Sequence, residues 1–242
     1  MSIIYSVVIP AFNEEALLPD TLACLKKAMA KIDEQGELIV VDNNSSDRTA
    51  EIAREFGADV VFESINQISK ARNAGAKVAK SRYLFFLDAD TKLNEMLIRE
   101  ALDNLHSGLC CGGGAEVALE RYVGWFPQFM LNCWNWMSRK RNIAAGCFIY
   151  CLREGFDLVG GFSEAVYASE EIWFSRSMNA WGKKNNLEFR IITRYPVITS
   201  VRKLDWYSPG RILLFSLPIL LFPPLLRVQY FCSPWYRRPG KN

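Results

Sequence analysis

The first ninety residues alternate between short apolar runs and longer segments in which apolar residues recur at helical spacing. The apolar runs predict four strands, at residues 5–10, 37–42, 59–62 and 83–87. The segments between them predict helices, at residues 14–30, 46–57 and 68–79. Polarity does not alternate along the strands, so both faces of the sheet should be covered. The pattern therefore predicts a parallel, doubly wound α/β sheet.

The second half of the chain is less regular. Residues 125–137 are dense in Trp, Phe and Met, which fits either a buried core segment or a surface facing an acceptor. A further helix is predicted to follow Ser169-Glu170-Glu171 and to run through Trp181, closed by Gly182.

The segment 212–226 (ILLFSLPILLFPPLL) is almost wholly apolar. As a helix it would extend about 22 Å, short of the roughly 30 Å hydrocarbon core of a bilayer. Its three prolines would also break such a helix. With Arg211 and Arg227 at its ends, we expect an interfacial or re-entrant membrane segment, or else a segment packed on the protein's own core. The expected organisation is one domain in two halves, residues 1–110 and 111–205, and a membrane-associating tail, residues 206–242.

Charge adds to this picture through its distribution. The net charge of +3 over 242 residues is too small to indicate a nucleic-acid partner. After Asp205, however, there is no acidic residue and there are five basic ones, which suits anionic lipid headgroups. The seven scattered cysteines include no CxxC pair, so a zinc site is not expected, and the N-terminus shows no secretory signal pattern. We expect a peripheral or monotopic protein on the cytoplasmic face of a membrane.

Polar clusters follow three of the four predicted strands. The clusters are Asn13-Glu14, Asp42-Asn43 and Asp88-Ala89-Asp90. Ligands of parallel α/β sheets bind at the carboxyl ends of the strands, which is where these residues lie. Two acids one residue apart can share a hard divalent cation, and such a cation can neutralise a diphosphate. Asp42 and Asn43 can accept hydrogen bonds from a base or ribose, or can only form a turn and cap a helix.

Four further residues could take part in chemistry or could have a purely structural role. Arg72 can face a phosphate, or be a solvated charge on an exposed helix face. One of Glu170 and Glu171 can act as a general base for a hydroxyl, or both can satisfy a helix dipole. His106, the one histidine, is expected to be structural or solvent-exposed, so no Ser–His–Asp or Cys–His arrangement is indicated.

The motifs VVIPAFNEE, VVDNNSSDRT, ARNAG, FFLDAD and GGFSE…SEEIWFSR occur in this order over residues 5–205. This series resembles family 2 glycosyltransferases, which have the Rossmann-like GT-A fold with a mostly parallel central sheet. The resemblance implies an inverting transfer from a nucleoside-diphosphate sugar to a hydroxyl acceptor with Mg²⁺ or Mn²⁺. The resemblance also implies roles for individual residues. Pro10, Ala11, Asn13 and Glu14 would line the nucleoside pocket, Asp42 would contact the base, and Arg72 would lie near the nucleotide. Asp88 would contact ribose or metal-bound water, Asp90 would hold the metal, and Glu171 would deprotonate the acceptor.

The chain departs from the family pattern at several points. Glu171 stands where the family usually has Asp, and Glu170 remains a rival for the base. No His follows TSVRK, so Arg202 and Lys203 are expected to steady the diphosphate instead. Residues 42–45 read Asp-Asn-Asn-Ser where the family often has Asp-Asp-Gly-Ser, so the identity of the nucleotide base stays open. The Gln-x-x-Arg-Trp signature of processive synthases is absent, so transfer of a single sugar is expected.

The aromatic segment and the apolar tail together suggest a lipid- or polyprenyl-linked acceptor. One alternative is a sugar-phosphate nucleotidyltransferase, but the loop after the first strand is acidic rather than Gly-rich and basic. The other is a non-catalytic scaffold of the same fold, against which Asp88, Asp90 and Glu171 argue.

Overall fold

A computed structural model describes residues 2–206, 222–232 and 236, and these form one mixed sheet flanked by helices. The strands are β1 Tyr5–Ala11, β2 Gly36–Asp42, β3 Asp59–Phe62, β4 Tyr83–Leu87, β5 Thr91–Lys92, β6 Cys110–Leu119, β7 Phe148–Leu152 and β8 Glu188–Thr199. The helices are α1 Leu18–Met29, α2 Thr49–Glu55, α3 Ile68–Val78, α4 Glu95–His106, α5 Trp125–Arg141, α6 Arg153–Val159, α7 Glu170–Lys184 and α8 Arg202–Trp206.

The sheet has the order β3-β2-β1-β4-β7-β6-β8-β5. The first four strands in this order are mutually parallel, as predicted. β7 then runs antiparallel to both β4 and β6, and β5 runs antiparallel to β8. The prediction of a mostly parallel sheet is therefore right for the first half of the chain, while the complete sheet is mixed. Strands from both halves of the chain contribute to it.

Several predicted helix boundaries were wrong, and α2, for example, runs from Thr49 to Glu55 where the sequence predicted 46–57. α1 begins at Leu18 and not at Glu14, whose carbonyl accepts the amides of Leu17 and Leu18 in a preceding turn. Pro19 lies in the first turn of α1, where its missing N–H costs nothing. α7 continues past Gly182 to Lys184, so this glycine does not end the helix.

The core lies on both faces of the sheet, in agreement with the non-alternating strands. Val7 and Ile9 of β1 pack in one hydrophobic cluster, while Val8 between them packs in the other. Against Val8 lies Gly75 of α3, at which an added Cβ would come within 2.3 Å of a Val8 methyl. The ARNAG glycine therefore lets α3 approach the sheet more closely than any side chain would permit.

The C-terminal tail is described only in part. Residues 207–221, which hold most of the apolar run, lie outside the described residues, so the membrane segment stays a prediction. No helix in the described ranges is long and apolar enough to cross a membrane. In the described end of the run, a 3-10 helix at Pro223–Arg227 places Leu226 against Val166 and Ala168. This end of the run therefore contacts the protein itself.

Candidate active site

The carboxyl ends of β1, β2 and β4 bring the predicted polar clusters to one edge of the sheet. Pro10 and Ala11 end β1, and Ala11 is in register with Asp42 at the end of β2. The Asn43 amide continues this pairing by donating to the Ala11 carbonyl at 2.8 Å. Asp88 directly follows β4, the other neighbour of β1.

The loops after β1 and β2 are bonded to each other. Asn13 adopts a left-handed conformation, with φ of 52°, which Asn tolerates better than most residues. Its amide donates to the Ser45 hydroxyl at 2.9 Å, and its side-chain oxygen accepts the Ser46 amide at 2.8 Å. The Glu14 amide donates to the Thr49 hydroxyl at 2.7 Å. The two predicted nucleoside-binding segments thus form one preorganised surface.

The predicted donor-binding residues Asp42 and Asn43 are both buried and differ in their bonds. Asp42 accepts the Ser45 amide at 2.9 Å, as a turn-forming Asp does. The Asn43 side-chain amide donates to the carbonyls of Glu63 and Ile65, at 3.2 and 2.6 Å. Asn43 therefore fixes the segment that follows β3, and the contact of either residue with a nucleotide stays a prediction.

Arg72 is buried with 1% exposure, so it is not the solvated charge considered from the sequence. Its guanidinium donates to Asp88 at 2.9 Å, to the Gly146 carbonyl at 2.8 Å, and to Glu170. Burial lowers the pKa of Arg72, but the carboxylates of Glu170 and Asp88 outweigh it and hold that pKa above its ordinary value. A permanently charged guanidinium therefore joins three separate chain segments below the edge of the sheet.

Asn73, next to Arg72, anchors the segment that leads to the glutamates. Its side chain donates to the Phe162 carbonyl and accepts the Phe162 amide, each at 2.9 Å. Phe162 in turn places its ring 5.1 Å from the Arg72 guanidinium carbon. These contacts explain why ARNAG and GGFSE belong to the same site although some ninety residues separate them.

The structure separates the roles open to Glu170 and Glu171. Glu170 is buried with 3% exposure against Arg72. Glu171 is half-buried, and its burial followed by the repulsion of the Glu170 carboxylate raises its pKa to about 8. A Cβ added at Gly146 would lie 3.7 Å from the Glu171 carboxyl carbon, which places Glu171 beside the Arg72 cluster. A carboxyl of raised pKa in such a place has the basicity of a general base near neutral pH.

A second arginine crosses the site from α8. Arg202 donates to both carboxylate oxygens of Glu14 at 2.5 Å and lies 3.1 Å from Asp90. Burial lowers the pKa of Arg202, but the bonded carboxylates hold it above its ordinary value. Arg202 thus bridges the predicted nucleoside loop and the predicted metal ligand. The Lys203 side chain lies outside the described residues.

Asp88 and Asp90, the two predicted metal ligands, are not joined by a third ligand side chain among the described residues. Among the described residues, no group of three or more His, Cys, Asp or Glu side chains could hold a metal ion. Asp88 and Asp90 each contact an arginine, Arg72 and Arg202. Mg²⁺ is commonly held by one or two carboxylates together with phosphates and water. The pair therefore fits a cation that arrives with a diphosphate, and does not form a complete protein cage.

Two features of the site escaped sequence reasoning. The Gly146 carbonyl bonds Arg72 through the backbone, which carries no side-chain signal. Cys147 is buried behind the acids, and its carbonyl accepts the Asp88 amide at 3.1 Å. His106 lies exposed at the end of α4, outside the site, as expected.

Comparison with known proteins places this geometry in a family. The family model described as Glycosyl transferase family 2 matches residues 6–161. The 4,4'-diaponeurosporenoate glycosyltransferase of Staphylococcus haemolyticus is 41% identical over 104 residues, which cover 40% of this chain and 27% of that protein. Glycosyltransferase AglE of Haloferax volcanii is 28% identical over 72% of this chain and 61% of its own length. The chain thus spans less than two thirds of either relative.

Solved structures show the same fold at low sequence identity. The mannosyltransferase PcManGT of Pyrobaculum calidifontis, in complex with GDP-Man and Mn²⁺, has a TM-score of 0.64 and 18% identity, covering 96% of this chain and 69% of that one. S. aureus TarS 1-349 in complex with UDP-GlcNAc has a TM-score of 0.62 and 19% identity, covering 82% and 58%. With the family model covering more than half of the chain, the chain belongs to glycosyl transferase family 2 and has its GT-A fold.

Proposed function

We propose that the protein transfers a single sugar from a nucleoside-diphosphate sugar to a hydroxyl acceptor, with inversion at the anomeric carbon. One observation carries this proposal: Arg72 bonds both Asp88, at the donor edge of the sheet, and Glu170, beside the basic carboxyl of Glu171. A donor-binding edge and a proton acceptor are thereby held in one rigid cluster. The structural relatives bound to UDP-GlcNAc and GDP-Man support this donor class.

The donor would lie on the interlocked loops after β1 and β2. Pro10, Ala11, Asn13 and Glu14 would line the nucleoside pocket, and Asp42 would contact the nucleotide base. Arg202 is already beside this pocket and would exchange part of its contact with Glu14 for the donor diphosphate. A diphosphate suits such a position because a guanidinium binds phosphate oxygens bidentately.

Asp88 and Asp90 would hold Mg²⁺ or Mn²⁺ together with oxygens of the diphosphate. When bound, the cation would neutralise the negative charge that develops on the leaving diphosphate. The guanidiniums of Arg72 and Arg202 add fixed positive charge at the same edge of the sheet.

In the chemical step, Glu171 accepts the proton of the acceptor hydroxyl. The acceptor oxygen then forms a bond to the anomeric carbon, while the bond between that carbon and the diphosphate oxygen breaks and its electron pair leaves with the nucleoside diphosphate. Attack opposite the leaving group inverts the configuration. Glu170, paired with Arg72, acts as a positioning residue, and burial followed by the Glu170 carboxylate raises the pKa of Glu171.

A lipid- or polyprenyl-linked acceptor and a place on the cytoplasmic face of a membrane complete the proposal. The support is the apolar run at 212–226 and the absence of acidic residues after Asp205. The chain would then act as a peripheral or monotopic enzyme on acceptors presented at that surface.

The test is release of nucleoside diphosphate from a panel of UDP-, GDP- and dTDP-sugars, with Mg²⁺ or Mn²⁺, detergent and membrane lipid extract. Wild type is compared with Asp90→Asn and with Asp103→Asn, an exposed acid on α4. Metal-dependent release from one donor, lost in Asp90→Asn and kept in Asp103→Asn, supports the proposal. Pyrophosphate release would instead identify a nucleotidyltransferase, and neither release nor donor binding would leave a scaffold.

A further inference from the structure

Helix α5 is apolar on the face that points away from the protein. Its inner face is held by Leu131 and Trp134, which pack against the core, and by Asn135, whose side chain bonds both backbone groups of Val117. On the opposite side lie six exposed residues, which we name the outer face of α5: Trp125, Phe126, Phe129, Met130, Cys133 and Trp136. At 100° per residue they fall within an arc of about 140°.

This arrangement reverses the usual amphipathicity of a surface helix. A helix on a globular protein turns its apolar stripe inward and its polar residues outward, and a helix that is apolar all round is normally buried. Trp125 is 74% exposed, and Phe129 and Trp136 are each 56% exposed. Single exposed apolar residues are ordinary, but six contiguous ones on one helix mark a surface that contacts an apolar partner.

The charges of α5 indicate which partner fits. The helix carries no acidic residue, and it ends in three consecutive cations, Arg139, Lys140 and Arg141. Arg139 is paired with Glu116, whereas Lys140 reaches back over the Trp136 ring, with Nζ 4.9 Å from the ring centroid. Trp and Phe on one side with Lys and Arg beside them are the composition of helices that lie in a membrane interface. A second copy of α5 would bring no acidic residue of the helix to meet these cations.

The position of α5 connects such a surface to the site. The helix ends at Arg141, and the left-handed conformation of the following Asn142 turns the chain into the segment that reaches Gly146. The Gly146 carbonyl accepts a hydrogen bond from Arg72, and Gly146 also adjoins Glu171. Residues 142–145 therefore connect the end of α5 to the backbone that adjoins the proposed general base.

We propose that the outer face of α5 inserts into the headgroup region of an anionic bilayer, with Lys140 and Arg141 against the anionic headgroups. This deepens the proposed membrane location, and rests on that part of the proposed function only. It assigns the lipid contact to a helix within the transferase domain, separate from the apolar run at 212–226. A lipid-borne acceptor would then reach the site along residues 142–147.

The test measures binding of the full chain to vesicles, without nucleotide sugar or divalent metal, so its outcome is independent of transferase activity. The triple variant Trp125→Gln/Phe129→Gln/Trp136→Gln is compared with wild type and with Met96→Gln/Leu109→Gln/Leu158→Gln, which removes exposed apolar side chains elsewhere. On phosphatidylglycerol-containing vesicles we expect affinity to fall about tenfold or more in the α5 variant, from the lost apolar burial, and to be retained in the control. Lys140→Gln/Arg141→Gln should weaken binding to these vesicles but not to pure phosphatidylcholine vesicles.

A second measurement uses the outer face directly. Cys133 is exposed, while Cys24 is half-buried and the other five cysteines are buried, so Cys133 can be labelled selectively with an environment-sensitive fluorophore. Vesicle addition should shift its emission to the blue. Equal binding of wild type and the α5 variant, or an unchanged emission on binding, would overturn the proposal. So would a wild-type dimer that the α5 substitutions convert to a monomer while vesicle binding stays unchanged, since the face would then join two copies.

Discussion

Two adjacent glutamates should respond to the same substitution with opposite changes in stability. In the folded protein the pKa of Glu171 rises from an ordinary 4.5 to about 8. Between these values the folded chain binds a proton that the unfolded chain does not, so wild-type stability falls as pH rises through this window. Glu171→Gln is neutral at every pH and should remove that loss.

The magnitude follows from the size of the pKa rise. A rise of about 3.5 corresponds to about 5 kcal/mol at about 1.36 kcal/mol per pKa unit. Because the Glu171 side chain is half-buried and water screens part of the repulsion, we expect a smaller gain, about 2 kcal/mol at pH 8.5 and close to zero at pH 4.5. The same variant should lose sugar transfer.

Glu170→Gln is the matched control. It leaves the charge of Arg72 buried with one carboxylate partner fewer, and removing one partner of a buried pair typically costs about 3–5 kcal/mol. Urea unfolding of the three proteins at pH 4.5 and 8.5 measures the free energy of unfolding directly. A gain in Glu171→Gln that is the same at both pH values, or a loss at pH 8.5, would show that Glu171 is not a strained carboxyl.

Three further outcomes are expected. Arg202→Met should raise the KM for the donor about 10- to 100-fold, measured in initial rates, because a charged hydrogen bond contributes about 1.5–3 kcal/mol; an unchanged KM would remove Arg202 from the diphosphate. Gly75→Ala should lower the free energy of unfolding by about 1–3 kcal/mol, because the new methyl meets Val8, and a neutral result would mean that α3 can move away from the sheet. Transfer activity at saturating donor should rise with pH towards about 8 as Glu171 loses its proton, and a rate independent of pH between 6 and 8 would exclude it as the base.

The parallel half of the fold was predictable because its signals are local. Each of β1 to β4 contains an uninterrupted apolar run, and the ends of β3 and β4 agree with the prediction to the residue. The antiparallel β7 was not predicted, because its partners β4 and β6 are chosen by contacts between distant segments that no local pattern encodes. The exposure of α5 was also hidden, since apolar composition shows which residues avoid water and not which of them are covered.

The residues of the candidate site were likewise predictable only in part. Asp88, Asp90 and Glu171 stand out as chemical groups in sequence motifs. Arg72 and Arg202 were also named from the sequence, but their carboxylate partners were not, because Arg202 meets Glu14 across 188 residues and Arg72 meets Glu170 across 98. Ion pairs of this kind depend on the completed sheet, so only the structure could assign them.

The burial of Arg72 has a consequence for how this protein can change over evolution. Its guanidinium is shared by Asp88, Gly146 and Glu170, so the effects of substitutions at these positions cannot add independently. A change at Glu170 alone leaves the buried Arg72 guanidinium with one carboxylate partner fewer. If Arg72 is changed to a neutral residue at the same time, the buried positive charge is removed as well. Arg72 and Glu170 should therefore be exchanged together or not at all, and a lineage that loses one should be under selection to lose the other.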